Sequence, residues 1–225
     1  MGKEIAAVIF DMDGLMFDTE RIAVKTFVEA AERLEMPIPA EYIVGIVGMD
    51  HRRADAYISE RMGGHYPLHE VGRLADRIRA DYIRERGLPV KEGLFELLDF
   101  LKKIGLKCAV ATSTHRPIAE ENLKIAGVID RFDTVVCGDD ITNGKPDPDI
   151  FLLAAERLAV PPDCCMVLED SQAGLTGAAR AGMMPVLIPD IKDPYEDVKD
   201  IIFTRLPSLH EVIGLIGELK RGGES

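Results

Sequence analysis

Residues 6–10, Ala-Ala-Val-Ile-Phe, form a short apolar run that stops abruptly at Asp11-Met12-Asp13-Gly14. A run that is apolar at every position reads as a strand buried on both faces, which belongs in a parallel sheet covered by helices. In open α/β sheets ligands bind beyond the carboxyl ends of the strands, so Asp11 and Asp13 fall at the mouth of a site. Two carboxylates one residue apart repel each other when both are ionised, and they are tolerated where a cation or proton is shared between them. Gly14 permits the tight departure of the chain that keeps both in the mouth. One aspartate on a metal and the other free to move protons suits phosphoryl chemistry. The alternative is an ordinary solvated strand-to-loop turn.

Further apolar runs follow at 106–111, 132–137, 164–168 and 184–188, separated by helix-periodic segments at 93–104, 117–126, 148–158 and 171–181. Strand alternating with helix predicts an α/β fold, a doubly wound parallel sheet with helices on both faces. The stretch between residues 19 and 87 breaks this rhythm. It carries helical patterns at 22–34, 52–62 and 68–86 and no convincing strand, so it reads as a small all-helical insert placed after the first strand. Pro37-Ile38-Pro39, Gly63-Gly64 and Gly87-Leu88-Pro89 supply its turns and its exit. The expected division is a core of residues 1–18 and 89–225 with a helical domain of residues 19–88.

Hydrophobic residues make up 47% of the 225, enough for a sizeable core. Twenty-seven Lys and Arg against 39 Asp and Glu give a formal net charge of −12, which argues against nucleic acid or an anionic membrane as partner. A small phosphorylated metabolite stays open, because a local basic pocket and a metal suffice to hold it. Cys108, Cys137, Cys164 and Cys165 have no zinc-like spacing and read as small buried hydrophobes of a reducing compartment. With no signal-like apolar segment at the N-terminus and no bilayer-length run, the expectation is a cytoplasmic protein, working as a monomer.

Three more signals fall at strand ends. Thr112-Ser113-Thr114-His115-Arg116-Pro117 follows one run and opens a helix, where hydroxyls and free N–H groups make a phosphate seat or a plain N-cap. Lys145, boxed between Gly144 and Pro146 after the next run, can be aimed inward as a fixed positive charge, or be a solvated loop lysine. Glu169-Asp170-Ser171 follows a third run, adding two acids to Asp11 and Asp13 or capping the helix behind them. Hard oxygen ligands in that number suit Mg2+. Each plain reading is adequate alone, but like charges converging on one mouth would lower stability without a metal.

Taken in order, Asp11-Met12-Asp13-Gly14, Thr112-Ser113, Lys145-Pro146 and Glu169-Asp170 resemble the four motifs of the haloacid dehalogenase (HAD) superfamily. The strings from Asp13 to Glu20, Gly144-Lys145-Pro146-Asp147-Pro148 and Leu168-Glu169-Asp170-Ser171 resemble its β-phosphoglucomutase-like phosphatase branch, which has a helical cap where the insert lies. The resemblance implies a Rossmann-like core and an Mg2+-dependent phosphatase acting on a small phosphomonoester, sugar- or polyol-phosphate-like, through an aspartyl-phosphate. In it Asp11 would be the nucleophile and Asp13 the general acid and base. Mg2+ would be held by Asp11, the Asp13 carbonyl and Asp170, with Glu169 ordering a bound water or ligating directly. Thr112, the Ser113 amide and Lys145 would hold the phosphoryl group. Gly48, His51 and Arg52 on the cap, with His115 and Arg116 on the core, are the candidate substrate contacts.

The sugar-phosphate mutases of that branch carry a histidine soon after the Asp-Thr pair and a basic residue directly before the cap glycine. The matching positions here are Ala23 and Val47, which favours transfer to water over return to sugar. A β-phosphoglucomutase-like mutase is the alternative enzyme. A phosphate-binding, receiver-like signalling domain is the non-enzymatic alternative, against which Asp13, as an acid/base group, argues for turnover.

Overall fold

The first apolar run becomes β1 (Ala7–Phe10), and all four of its residues are buried. The computed structural model describes residues 4–47, 49 and 51–223. In chain order β1 is followed by four helices, α1 (Thr19–Arg33), α2 (Ala40–Ile46), α3 (His51–Met62) and α4 (Leu68–Arg86). Strands and helices then alternate: α5 (Leu94–Ile104), β2 (Lys107–Ala111), α6 (Arg116–Ile125), β3 (Thr134–Val136), α7 (Asp149–Leu158), β4 (Cys165–Glu169), α8 (Gln172–Arg180), β5 (Met184–Leu187), α9 (Tyr195–Val198), β6 (Thr204–Arg205) and α10 (His210–Gly223). The chain divides into two units, one of Met1–Phe17 with Pro89–Ser225 and one of Asp18–Leu88.

In the first unit the sheet order is β3-β2-β1-β4-β5-β6, all parallel. That is the doubly wound order, with the strand sequence reversing direction beside β1. Register decides what reaches the mouth. Phe10 lies level with Val110 of β2 and Leu168 of β4, so Asp11, Thr112 and Glu169 emerge within a residue of one another at the carboxyl edge. The Asp11 N–H still donates to the Leu168 carbonyl at 3.0 Å, which ties the first residue of the mouth to the ladder.

Burial on both faces explains the uninterrupted apolar runs. Ala7 and Ile9 pack with Ala109, Val167 and, from α7, Ile150 and Phe151. The alternate residues Val8 and Phe10 point to the other face, where Phe10 meets Phe132 edge-on at 5.6 Å between ring centres. Along α5, Leu94, Leu97, Leu98 and Leu101 are all buried, the stripe expected of a helix lying on a core.

Among its described residues the second unit holds helices and no strand, and it has a core of its own, built from Ala30, Ala31, Ile38, Ile43, Ile58 and Val71. The Tyr66 hydroxyl donates to the Met36 carbonyl at 2.8 Å, joining the approach to α4 to the end of α1. A half-open cavity of about 650 Å³ lies within this unit, with Val24, Phe27, Ile46 and Gly72 in its walls and Arg73 and Arg79 among its charged residues. Among the described residues no helix is long and apolar enough to cross a membrane.

Candidate active site

Three strand ends and one loop build the site in the first unit. Asp11 follows β1 directly, and Gly14, at φ 83°, turns the chain so that its N–H donates to the Phe17 carbonyl at 2.9 Å. Lys145 lies on the loop before α7, followed by a cis peptide bond to Pro146. Its ammonium, on a side chain only 7% exposed, donates to Asp11 Oδ1 at 2.5 Å, Glu169 Oε1 at 2.7 Å and the Ala111 carbonyl at 3.1 Å. All three ammonium protons are thus directed at named acceptors, which fixes the charge in place. The ammonium also stands 5.2 Å from the centre of the Phe151 ring.

Glu169 is the most enclosed member, its side chain 1% exposed. Lys145 takes its Oε1, and Oε2 accepts from the Ser171 N–H and the Ser171 hydroxyl, both at 2.9 Å. The same Ser171 oxygen accepts from the Gly174 N–H at 3.0 Å, so the residue that caps α8 also clamps the carboxylate. α8 approaches so closely that a Cβ on Gly174 would lie 1.7 Å from Glu169 Oε1, which requires glycine there.

Asp13 faces the end of β2. Its Oδ2 accepts from the Thr114 hydroxyl at 2.7 Å and, more weakly, from the Thr112 hydroxyl at 3.4 Å. The Thr112 oxygen accepts from the Thr114 N–H at 3.0 Å. Thr112 is buried and Ser113 exposed on the following loop.

Asp11, Glu169 and Asp170, all buried, each offer a carboxylate oxygen, and these atoms lie within 4.8 Å of one another. Burial pushes the Asp11 carboxyl well above the usual carboxylate range; Lys145 pulls it back, and Glu169 and Asp13 push it further up. For Lys145, burial acts to lower the ammonium, but Asp11 and Glu169 outweigh it and hold it above its ordinary value. Four carboxylates around one ammonium leave the mouth strongly negative. Hard oxygen donors at this spacing fit a divalent cation such as Mg2+.

The remaining sequence candidates fall elsewhere. His115 is exposed, with Nδ1 4.0 Å from Asp139. Arg116 is engaged in the core: its guanidinium donates to Asp140 Oδ2 at 2.5 Å and to Glu120 and the Val135 carbonyl at 3.1 Å. Those bonds make Arg116 a strut between α6 and the loop after β3, a use for which its place beside Pro117 gave no sign. Arg52 is exposed on α3. Gly48 and the His51 side chain lie outside the described residues. Thr114 and Ser171 were missed as holders of Asp13 and Glu169, although both lie inside the motif strings.

A parallel sheet of this order, with an aspartate after its first strand and a lysine and two acids brought to the same mouth, defines an α/β protein whose candidate site lies at the carboxyl edge of the sheet. The family model of haloacid dehalogenase-like hydrolases matches residues 5–182, and the chain belongs to that family. A phosphorylated carbohydrates phosphatase of Thermotoga maritima is 36% identical over 179 residues, 79% of this chain and 82% of that protein. A β-phosphoglucomutase of Bacillus subtilis is 32% identical over 189 residues, 80% of this chain and 81% of that protein. The crystal structure of CbbY from Rhodobacter sphaeroides in complex with phosphate superposes with a TM-score of 0.75 at 26% identity, covering 92% of this chain and 96% of that one. The protein is an enzyme, a HAD-like phosphoric monoester hydrolase, which sets aside the receiver-like reading.

Proposed function

We propose that this protein is an Mg2+-dependent phosphatase that hydrolyses a small sugar- or polyol-phosphate-like monoester through a phosphoryl group carried on Asp11. The observation that carries the reading is the buried Asp11 carboxylate, 2.5 Å from the Lys145 ammonium and grouped with Glu169 and Asp170, with a second aspartate two residues further on. The phosphatase name of the Thermotoga maritima relative supports the substrate class.

An Asp11 oxygen attacks phosphorus while the bond from phosphorus to the leaving oxygen breaks, and Asp13, protonated at that moment, gives its proton to the leaving alcohol. Asp13, now a carboxylate, takes a proton from water as that water attacks phosphorus. The bond between Asp11 and phosphorus breaks, inorganic phosphate leaves, and Asp13 is again protonated. Lys145 neutralises the Asp11 carboxylate before attack and the phosphoryl oxygens during it. Thr112 and the Ser113 amide hold the remaining phosphoryl oxygens. Mg2+, held by Asp11, the Asp13 carbonyl and Asp170, supplies the positive charge that lets a phosphate dianion approach an anionic nucleophile. The engagement of both Glu169 oxygens by Lys145 and Ser171 supports an orienting role for that residue over direct ligation. Selection of the leaving group is assigned, in this reading, to the helical insert of residues 19–88.

The test is phosphate release from a panel of sugar and polyol phosphates, with Mg2+ and with chelator, for the native chain, Asp11→Asn and Asp13→Asn. Mg2+-dependent release that is lost in Asp11→Asn is the expected result, together with covalently bound phosphate on Asp11 detected by mass spectrometry. Conversion of a sugar phosphate into its isomer without release would make the protein a mutase, despite Ala23 and Val47.

A further inference from the structure

A fifth carboxylate stands at the same mouth. Beyond β5 the chain runs Ile188-Pro189-Asp190, and the Asp190 side chain is 1% exposed. One of its carboxylate oxygens lies within 4.8 Å of a carboxylate oxygen of Asp170. Its Oδ1 is ion-paired with Lys91 Nζ, on a side chain 24% exposed. Lys91 is itself tied to the loop after β1, its N–H donating to the Met16 carbonyl at 2.9 Å. The pair therefore joins the strand next to β4 to the turn that carries Asp11 and Asp13.

A brace between β5 and that turn could be made anywhere along the sheet edge. Here it sets an additional buried negative charge against four carboxylates that already repel one another, which weakens the metal-free state. A divalent cation entering the cluster is attracted by Asp190 and repelled by Lys91 through an interior of low effective dielectric, so the two charges act on its affinity in opposite senses. We propose that Asp190 and Lys91 are positioning residues that set the divalent-cation affinity of the Asp11–Glu169–Asp170 cluster from beyond its ligands, Asp190 raising the affinity and Lys91 restraining it. The inference rests on the reading that this cluster binds Mg2+.

Isothermal titration of Mg2+ into the metal-free full chain at pH 8 tests it, using the native protein, Asp190→Asn, Lys91→Met and the double variant. Asp190→Asn is expected to weaken Mg2+ binding about tenfold, the scale found for groups that orient metal ligands. Lys91→Met is expected to tighten it several-fold, and the double variant, which removes both charges, to return close to the native value. A pair that merely braced the fold would weaken binding in both single variants together with a fall in melting temperature in chelator. Parallel weakening, or native affinity in both, overturns the proposal while native Mg2+ binding leaves the cluster's role standing. No Mg2+ binding by the native chain overturns the metal reading and this inference with it.

Discussion

Gly174 and Glu169 are in such close approach that a methyl group on the glycine would lie 1.7 Å from Oε1 and 2.0 Å from the carboxyl carbon. The carboxylate cannot swing aside, because Lys145 holds one oxygen and Ser171 the other. Gly174→Ala is therefore expected to lower stability by about 3 kcal/mol, the upper range for an overpacked site. Gly214, in α10, has nothing within 4 Å of its would-be Cβ. There the same change should raise stability by about 0.5–1 kcal/mol, because alanine loses less backbone freedom in a helix. Urea unfolding of the two variants checks both signs.

Lys145 is the cation for two buried acids, with Asp11 10% and Glu169 1% exposed. Lys145→Met keeps the apolar stem beside Phe151 but leaves both carboxylates without their ion pair. In chelator this should lower stability by about 3–5 kcal/mol, the range for breaking a buried pair by removing one partner. Mg2+ should recover part of that loss, while phosphatase turnover stays down by at least about a hundredfold because the developing phosphoryl charge lacks its donor. Unfolding curves with and without Mg2+ separate the two effects.

The strand ends were legible because each apolar run stops at polar residues, and register then brings those residues together. That logic put Asp11, Glu169 and Asp170 at strand ends and Lys145 on the loop after one, while the resemblance of the four ordered motifs joined them into one site. It did not reveal what holds them. Thr112 and Thr114 share a side by the two-residue period, a signal that could have assigned Thr114 to Asp13. The clamp of Ser171 on Glu169 depends on how closely α8 approaches, and no local pattern reports that. Asp190 lies two residues past the 184–188 run, between Pro189 and Ile191, with no second acid beside it to mark that strand end. β6, with only Thr204 and Arg205 paired to Val186 and Leu187, is too short to leave a period at all.

The raised Asp11 carboxyl gives a pH dependence with a definite sign. An acid whose folded-state pKa lies above its unfolded value contributes stability at low pH, and that contribution is lost as pH rises through the folded value. The raised Lys145 acts in the same sense but only above its ordinary value of 10.5. The metal-free protein should therefore lose melting temperature as pH rises beyond the ordinary carboxylate value of 3.8 and Asp11 ionises in the folded state. In the proposed reading Mg2+ takes the ionised carboxylate and competes with the proton, so the rise in melting temperature on adding Mg2+ should be larger at pH 8 than at pH 5. Thermal scans in chelator and in excess Mg2+ at several pH values measure both trends.

The cysteines should differ sharply in reactivity. Burial pushes the Cys108 thiol up to about 12, with Asp133 adding to it. Cys137 and Cys165 are pushed up to about 11, again chiefly by burial. Of the four, Cys164 is the one that is partly exposed. A disulfide reagent at pH 8 should modify one thiol per native chain, at Cys164, and all four after denaturation, with no loss of turnover from the single modification.

Thr114 separates the handling of Asp13 from metal binding. Its hydroxyl donates to Asp13 Oδ2 at 2.7 Å, while the metal-side carboxylates belong to Asp11, Glu169 and Asp170. Thr114→Val keeps the shape and the buried volume but removes the donor, so Asp13 loses the shorter of its two hydroxyl contacts and keeps the 3.4 Å one from Thr112. A hydrogen bond to a charged group contributes about 1.5–3 kcal/mol, and misaiming the proton-transfer group by that much should lower kcat by about ten- to a hundredfold. KM and Mg2+ affinity should remain near native, because neither phosphate contacts nor ligands are touched. Thr114→Ser, which restores the hydroxyl, should recover most of kcat. If Thr114→Val instead weakened Mg2+ binding as strongly as turnover, the threonine would be holding the metal turn and not the acid.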